Sequence, residues 1–579
     1  MLKYKVKGRN DITDVKGCIF ENRGITDVYG YTHLNDDCLI SYNKLSNIND
    51  AVEKFLYCME NNYNVYIIQD CDTDGVTSAA ILYSYIRRAF PGINLKYLIH
   101  TGKQHGLSDD VTEYIKATNE TLILLPDAGT NDVDICKSLS ELGAEIIVLD
   151  HHEREIDNQG KEIDNPYAIV INNKTSPDYP NKEFCGAGIV YKFLQAVDDE
   201  IWETYADDYL DLVMLGNISD IMDIRSFETK YIIEKGLSQI KNKCLKAFIK
   251  AQEYSIKDNL NINAITFYVT PLINAMCRVG NMDEKDLLFR AFVEADEEFD
   301  YKKRDADGTY KMVKETIYER AVRLCKNAKS RQDNAVKKAL PDLHNFVTDH
   351  SCEQNTVMFV KADNKLQSTF TGLAAIKIAD YYKHPCLVLR KTDDDAYRGS
   401  ARNFDNCPIE NLKDVLESTG QFEFCRGHQG AFGFQIKRDN INNAMNILDE
   451  QLSKIDFSVR TVDFEIDYED LDIAFIQSIE VLKDYYGTGI KRPYVVVKNI
   501  SIRSIDGIVM GKSEDNWKVI SETNIAFVKF KVPDDDIILK HIKNKSDNVI
   551  HINVIGSVGF NEYEGIITPQ VIIEDYEVV

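Results

Sequence analysis

Short aliphatic runs separated by amphipathic stretches set the rhythm of the first two hundred residues. VYIIQ (65–69), LILLP (122–126) and IIVL (146–149) are almost wholly apolar, as strands are when a sheet is covered on both faces. Between them, TSAAILYSYIRRAF (77–90) and NDVDICKSLSELG (131–143) repeat apolar residues at helical spacing. Strand and helix in alternation predict a doubly wound, mostly parallel α/β domain.

The pattern then changes. Ile317, Ala321, Leu324 and Ala328 keep helical spacing, and Pro341 is expected to stop that helix. Lys302 to Lys338 holds 12 Lys/Arg against 5 Asp/Glu, so a basic connecting helix is predicted over 301–341. It reads either as a solvated linker or as a basic wall facing a phosphate backbone. Residues 355–455 form a second α/β unit. From about residue 485 the runs YVVVKNISI, IAFVKFKV and VIHINVIGSVGF, with Gly and Asp turns, predict a small barrel or sandwich.

Composition narrows the class. A chain of 579 residues exceeds one hydrophobic core. No apolar run is long enough to span a bilayer, and the start, MLKYKVKGRNDITD, lacks the apolar core of a signal peptide. Thirteen cysteines without a C-x-x-C pair suit reduced thiols and a cytoplasmic location. The net charge of −25 opposes binding to phosphate unless a local basic groove or bound divalent metal reverses the field.

Each aliphatic run leads into acid. Asp70, Asp72 and Asp74 follow the first, Asp127 the second, and Asp150, His151 and His152 the third. Ligands of open parallel sheets bind beyond the carboxyl ends of the strands, so these side chains are expected in one crevice. Asp220 lies in DLVMLGNISDIMD, an apolar helical stretch where an unpaired carboxylate is costly. Taken singly, each Asp reads as a turn or N-cap. Taken together they repel one another, and divalent cations relieve that repulsion. Carboxylates with one or two imidazoles suit Mn²⁺, or Mg²⁺ with more bound water. Two such ions activate a water and clamp a phosphoryl centre.

These motifs resemble those of the DHH phosphoesterase superfamily and, within it, the RecJ single-strand exonucleases. The likeness runs through ENRGITD (21–27), DCDTDGVTS (70–78), DAG (127–129), LDHHE (149–153), SPDYPNKEFCGAGIVYKF (176–193), LGNISDIMD (215–223), TPLINAMCRVGN (270–281), RGSARNF (398–404), RGHQGAFGF (426–434) and NEYEGIITPQVIIED (561–575). It implies a DHH domain with an N-terminal extension (1–300), the connecting helix (301–341), an α/β DHHA1 domain (342–460) and an OB-fold β-barrel (461–579). It implies a metal-dependent 5′→3′ exonuclease releasing 5′ mononucleotides from single-stranded DNA. The expected state is monomeric and membrane-free, with a single-strand-binding protein or a helicase as candidate partners.

By the same resemblance, Asp70, Asp72 and Asp127 would hold one divalent cation. Asp74, Asp127, His151 and Asp220 would hold the other, Mn²⁺ being preferred over Mg²⁺. His152 would touch the scissile phosphate, with Asp150 orienting the histidines. Arg278, Ser400, Arg402 and His428 fall where the family grips substrate phosphates.

Three positions depart from the family pattern. Cys71 replaces the tyrosine of an Asp-Tyr-Asp opening, and Arg426-Gly427 replaces paired glycines before His428. HTGKQHGLS (100–108) lacks the arginine that helps hold a 5′ phosphate, leaving Lys103 as its substitute. Two alternatives stand beside this reading. One is a phosphodiesterase of short oligonucleotides or cyclic dinucleotides, and the other a scaffold that binds single strands without cutting.

Overall fold

The computed structural model describes the whole chain except Met1, Lys103, Asn158, Gln159, Asp258, Ala306, Asp393, Asp394, Ser546, Asp547, Glu564 and the side chain of Asn364. It divides into two compact units, residues 29–333 with 487–489, and residues 1–28 with 334–486 and 490–579. No helix among the described residues is long and apolar enough to cross a membrane.

The first unit is built on strands β1 (Asn64–Gln69), β2 (Leu95–Ile99), β3 (Thr121–Pro126), β4 (Glu145–Asp150) and β5 (Ile169–Asn172). All pair in parallel, in the order β2-β1-β3-β4-β5. Successive strands are added to one side of β1 and then to the other, so the order reverses between β1 and β3, and such a switch point opens a crevice at the carboxyl ends of the strands. Alternate residues explain why the runs are apolar throughout. Tyr66, Ile68, Ile123, Leu125, Ile146 and Val148 pack on one face against Leu107, Val111, Cys136 and Leu139. Val65, Ile67, Leu122, Leu124, Ile147 and Leu149 are buried on the other.

Four helices of this unit position the site: α1 (Thr73–Ala89), α2 (Gly186–Ile201), α3 (Leu210–Ser219) and α4 (Thr270–Val279). A further helix, α5 (Met282–Phe292), starts with a capping box in which the side chains of Asn281 and Glu284 each accept from the other's backbone N–H.

The stretch 301–341 is not a single helix. Strands β6 (Glu298–Arg304) and β7 (Tyr310–Thr316) form an antiparallel hairpin first. The helix, α6, runs Ile317–Asp349 with Pro341 inside it. The hairpin turns at Gly308, whose φ is +86°. Thr316 and Glu319 then cap the helix reciprocally, Oγ1 accepting from the Glu319 amide at 3.3 Å and the carboxylate from the Thr316 amide at 2.9 Å. Pro341 removes one backbone hydrogen bond. Burial of Val336, Ala339, Leu343 and Val347 along one stripe outweighs it, and the helix continues.

In the second unit, β8 (Met358–Lys361), β9 (Cys386–Lys391), β10 (Ala396–Arg402), β11 (Phe422–His428) and β12 (Ala431–Lys437) form a sheet ordered β11-β12-β10-β9-β8. Only β8 and β9 are parallel. The carboxyl-terminal part is a seven-stranded sheet with Phe464–Asp467 at one edge and Gly507–Met510 at the other, the long hairpin Val549–Tyr563 and Ile566–Val578 supplying its third and fourth strands. Residues 1–28 group with this unit rather than with the parallel-sheet domain to which the sequence assigns them. Tyr4–Val6 pairs in parallel with Arg460–Val462, and Arg23 makes a buried ion pair with Asp463 at 2.6 Å.

A candidate metal centre at the carboxyl ends of the strands

Strand β1 ends at Gln69, and Asp70 follows with its side chain buried. Its Oδ2 meets His105 Nδ1 at 2.5 Å and its Oδ1 accepts from the Gly106 amide at 3.3 Å. Asp72 caps α1, accepting from the Gly75 amide at 3.0 Å. Asp74, in the first turn, takes hydrogen bonds from the Gly186 and Ala187 amides at 2.7 and 3.1 Å. Those amides are at the amino end of α2, where unpaired N–H groups and the helix dipole favour an anion.

Asp127 follows β3 with φ at +64°, a left-handed conformation that Asp and Asn tolerate best among residues with a side chain. Its amide donates to Leu149 O at 2.8 Å. Its buried Oδ1 accepts no hydrogen bond among the described residues and lies 3.2 Å from His151 Nε2. His151 Nε2 lies also 3.3 Å from Asp220 Oδ2. Asp220 is the residue after α3, not a position within it, so its carboxylate leaves the helix end toward the other acids.

Two glycines make this crowding possible. A Cβ on Gly186 would fall 2.4 Å from Asp127 Cβ, and one on Gly216 would fall 2.4 Å from Asp74 Oδ1. Neither position has room for any other residue.

Asp150 organises the paired histidines. Its Oδ1 accepts from the His151 amide at 2.7 Å, the His152 amide at 3.2 Å and His152 Nδ1 at 2.7 Å, while Oδ2 accepts from the Thr130 amide at 3.1 Å. Burial raises its pKa, but the His152 imidazole and these donors outweigh burial and hold it well below the carboxylate range. His152 is pushed up to about 10. Burial works against that shift and the Asp150 charge overcomes it. The His152 side chain is half exposed, facing out of the cluster, whereas Asp150 is only 1% exposed.

The remaining acids move the other way. Burial, then the charges of Asp220 and Asp72, lift Asp74 to about 7. Burial, then Asp74, Asp72, Asp70 and Asp220, raise Asp127 far above its ordinary value. Asp72 is raised by burial, Asp70 and Asp220. Ligand atoms of Asp70, Asp72 and Asp127 come within 4.8 Å of one another, as do those of Asp74, His151 and Asp220, and those of Asp127, Asp150, His151 and His152. A buried carboxylate oxygen without a donor, in an oxygen-rich set with one imidazole, fits a hard divalent cation such as Mn²⁺ or Mg²⁺.

The expected phosphate contacts fall in both units. Arg278 is half-buried in the last turn of α4, and the charge of Asp72 reaches it. The same helix touches the acid loop directly, since Asn274 Oδ1 accepts from Thr73 N and Oγ1 at 3.1 and 2.9 Å. In the second unit, Ser400 and Arg402 share one face of β10. Ser400 Oγ lies 2.9 Å from Thr371 Oγ1, and Arg402 Nη1 donates to Ala401 O at 2.7 Å. A Cβ on Gly372 would meet both side chains, Arg402 Nη2 at 2.5 Å and Ser400 Oγ at 3.5 Å. His428 ends β11, exposed. Lys103 lies outside the described residues.

Sequence reasoning missed His105, Asn274 and Thr130. His105 stands in the HTGKQHGLS stretch singled out above, but no spacing rule ties its imidazole to Asp70.

The parallel sheet with acids and histidines at its switch point defines the class, an α/β phosphoesterase domain followed by a β-rich carboxyl-terminal domain. Residues 64–217 match the DHH family, N-terminal domain, and residues 462–575 match the RecJ OB domain. The chain is 35% identical over 584 residues to YorK of the Bacillus subtilis (strain 168) SPbeta prophage, covering 100% of this chain and 98% of that one. YorK is provisionally named a single-strand DNA-specific exonuclease. The single-stranded-DNA-specific exonuclease RecJ of Bacillus subtilis (strain 168) is 23% identical over 562 residues, covering 94% of this chain and 65% of its own length. The fold matches that of Thermus thermophilus RecJ in complex with Mn²⁺ with a TM-score of 0.70 at 17% identity, over 97% of this chain and 75% of that one. The chain belongs to the RecJ-like exonucleases of the DHH superfamily.

Proposed function

We propose that the chain is a metal-dependent exonuclease that degrades single-stranded DNA 5′→3′ to mononucleotides in DNA replication, recombination or repair. The observation that carries this reading is the convergence of Asp70, Asp72, Asp74, Asp127, His151 and Asp220 beyond the ends of three parallel strands. Without cations that arrangement is held against its own repulsion, as the raised Asp74 and Asp127 attest. The names of the relatives support the choice of substrate.

Asp70, Asp72 and Asp127 would hold one divalent cation, and Asp74, Asp127, His151 and Asp220 the second. Bound there, the cations supply Lewis-acid activation of water and neutralise charge at the phosphoryl centre. The protein's own groups do the rest. Asp150 fixes the His152 ring, whose half-exposed edge donates to a phosphate oxygen. Arg278 offers a planar pair of donors to the next phosphate. By the family resemblance, Ser400, Arg402 and His428 would add further phosphate contacts, and Lys103 would meet the terminal phosphate.

The test is a 3′-labelled single strand incubated with Mn²⁺, with and without a 5′ phosphate, beside a blunt duplex and a dinucleotide. Stepwise shortening from the 5′ end, with the duplex spared and Asp127→Asn inert, is the expected result. Cleavage of the dinucleotide alone would replace this reading with a short-oligonucleotide phosphodiesterase. Binding without cleavage would replace it with a scaffold.

A further inference from the structure

Lys285 is a buried cation, 4% exposed, that the proposed chemistry does not use. It lies in the first turns of α5, and its Nζ donates to three backbone carbonyls: His100 O at 3.0 Å, Thr101 O at 3.4 Å and Gly102 O at 3.2 Å. No carboxylate pairs with it among the described residues. The adjacent acids are engaged elsewhere, Glu284 with Arg331 and the Asn281 amide, Asp286 with Tyr97 and Arg290. A buried charge without a counter-ion is expensive unless its donors are all met, and here three carbonyls meet them.

Residues 100–102, which Lys285 grips, follow directly on the end of β2. Three residues beyond Gly102, His105 meets Asp70 at 2.5 Å, and the Gly106 amide donates to the same carboxylate. A second tie reaches Gly102 from the other side, where Cys71 Sγ donates to the Gly102 carbonyl at 2.8 Å. Cys71 stands between Asp70 and Asp72, so one carbonyl is shared by Lys285 and the acid loop itself. The helix that presents Lys285 is anchored independently. Its capping box fixes its start, and Tyr97 of β2 packs against Phe289 with ring centroids 4.3 Å apart while donating to Asp286 at 2.6 Å.

We propose that Lys285 is a positioning residue of the metal centre, holding residues 100–102 so that His105 and Gly106 fix the Asp70 carboxylate beside Asp72 and Asp127. This rests on the reading of those three acids as ligands. Lys285 touches neither substrate nor cation; it acts through the loop. Cys71, where the family carries tyrosine, is then the second half of the same latch.

Mn²⁺ titration by calorimetry on the full chain tests it, with circular dichroism and melting curves beside each variant. Lys285→Met is expected to keep the native spectrum and to lose 10–100-fold in affinity for one Mn²⁺, the size of effect typical of groups that orient ligands. The second Mn²⁺ should bind as in the wild type. Cys71→Ala should weaken the same Mn²⁺ by a smaller factor, and it carries the test if Lys285→Met does not fold. Asp127→Asn, which removes a shared ligand, should weaken both. Wild-type affinity in Lys285→Met (or in Cys71→Ala, should that variant carry the test) with Asp127→Asn impaired would overturn the proposal and leave the metal reading standing. Wild-type affinity in Asp127→Asn as well would overturn both.

Discussion

Asp127 is held at φ +64° among like charges, and both facts decide what a substitution does there. Alanine would add backbone strain to the loss of a carboxylate, whereas asparagine tolerates the left-handed region and cannot ionise. Asp127→Asn should therefore fold, melt higher than the wild type in EDTA at about pH 8, and hydrolyse DNA more than about 100-fold more slowly, because metal assistance is worth several kcal/mol. A variant that melts lower in EDTA would show that crowding of charge is not what the site resists. Asp74 adds a pH dependence. Its carboxyl titrates near 3.9 in the unfolded chain and near 7 in the fold, so between those values the folded state binds more protons. Stability of the metal-free protein then falls as pH rises through this window. Cations bind the ionised form, so the gain in melting temperature on adding Mn²⁺ should grow from about pH 5 to about pH 8. A gain that stays constant across that range would remove these carboxylates from the ligand set.

Elements differ in how openly the sequence displays them. Strands β1, β3 and β4 are legible because both faces are buried, and an uninterrupted aliphatic run follows from that. The acids after them were legible for the same reason, since a change from core to charge marks the strand end. Strand β2 was not, because Lys96 is exposed and Tyr97 and Leu98 are only half-buried in this edge strand, and β5 has only four residues. The β6–β7 hairpin was hidden by its exposure, which leaves only a weak apolar alternation. Pro341 misled because a local rule about proline yields to a stripe of buried side chains. Helix α2 makes a prediction at this scale. Its first residue, Gly186, leaves no space for a methyl beside Asp127. Gly186→Ala should cost about 1–3 kcal/mol by overpacking, read in urea melts, and should displace Asp127 enough to weaken Mn²⁺ binding. Full stability with normal Mn²⁺ affinity would mean that the helix start shifts without consequence.

At the scale of the molecule, a chain of net charge −25 is proposed to bind a polyanion. Apart from His152, whose charge is offset by Asp150 at 2.7 Å, the cations assigned to the strand are few: Arg278, Arg402 and Lys103. Each phosphate neutralised on a single strand contributes about −0.7 to the slope of log affinity against log salt concentration. Three contacts therefore predict a slope of about −2. Repulsion from the acidic surface opposes binding at low salt and is screened as salt rises, which flattens the slope further. The binding is thus expected to be local and short in reach, with specificity residing in the acid cluster and its cations rather than in a broad basic track. Fluorescence anisotropy of a labelled single strand with Asp127→Asn, in which cleavage is expected to be slowed more than about 100-fold, measures this over a tenfold range of monovalent salt. A slope near −2 or shallower supports a few defined contacts. A slope steeper than about −5 would require seven or more neutralised phosphates. The 12 Lys/Arg between Lys302 and Lys338 would then be the first place to look for them.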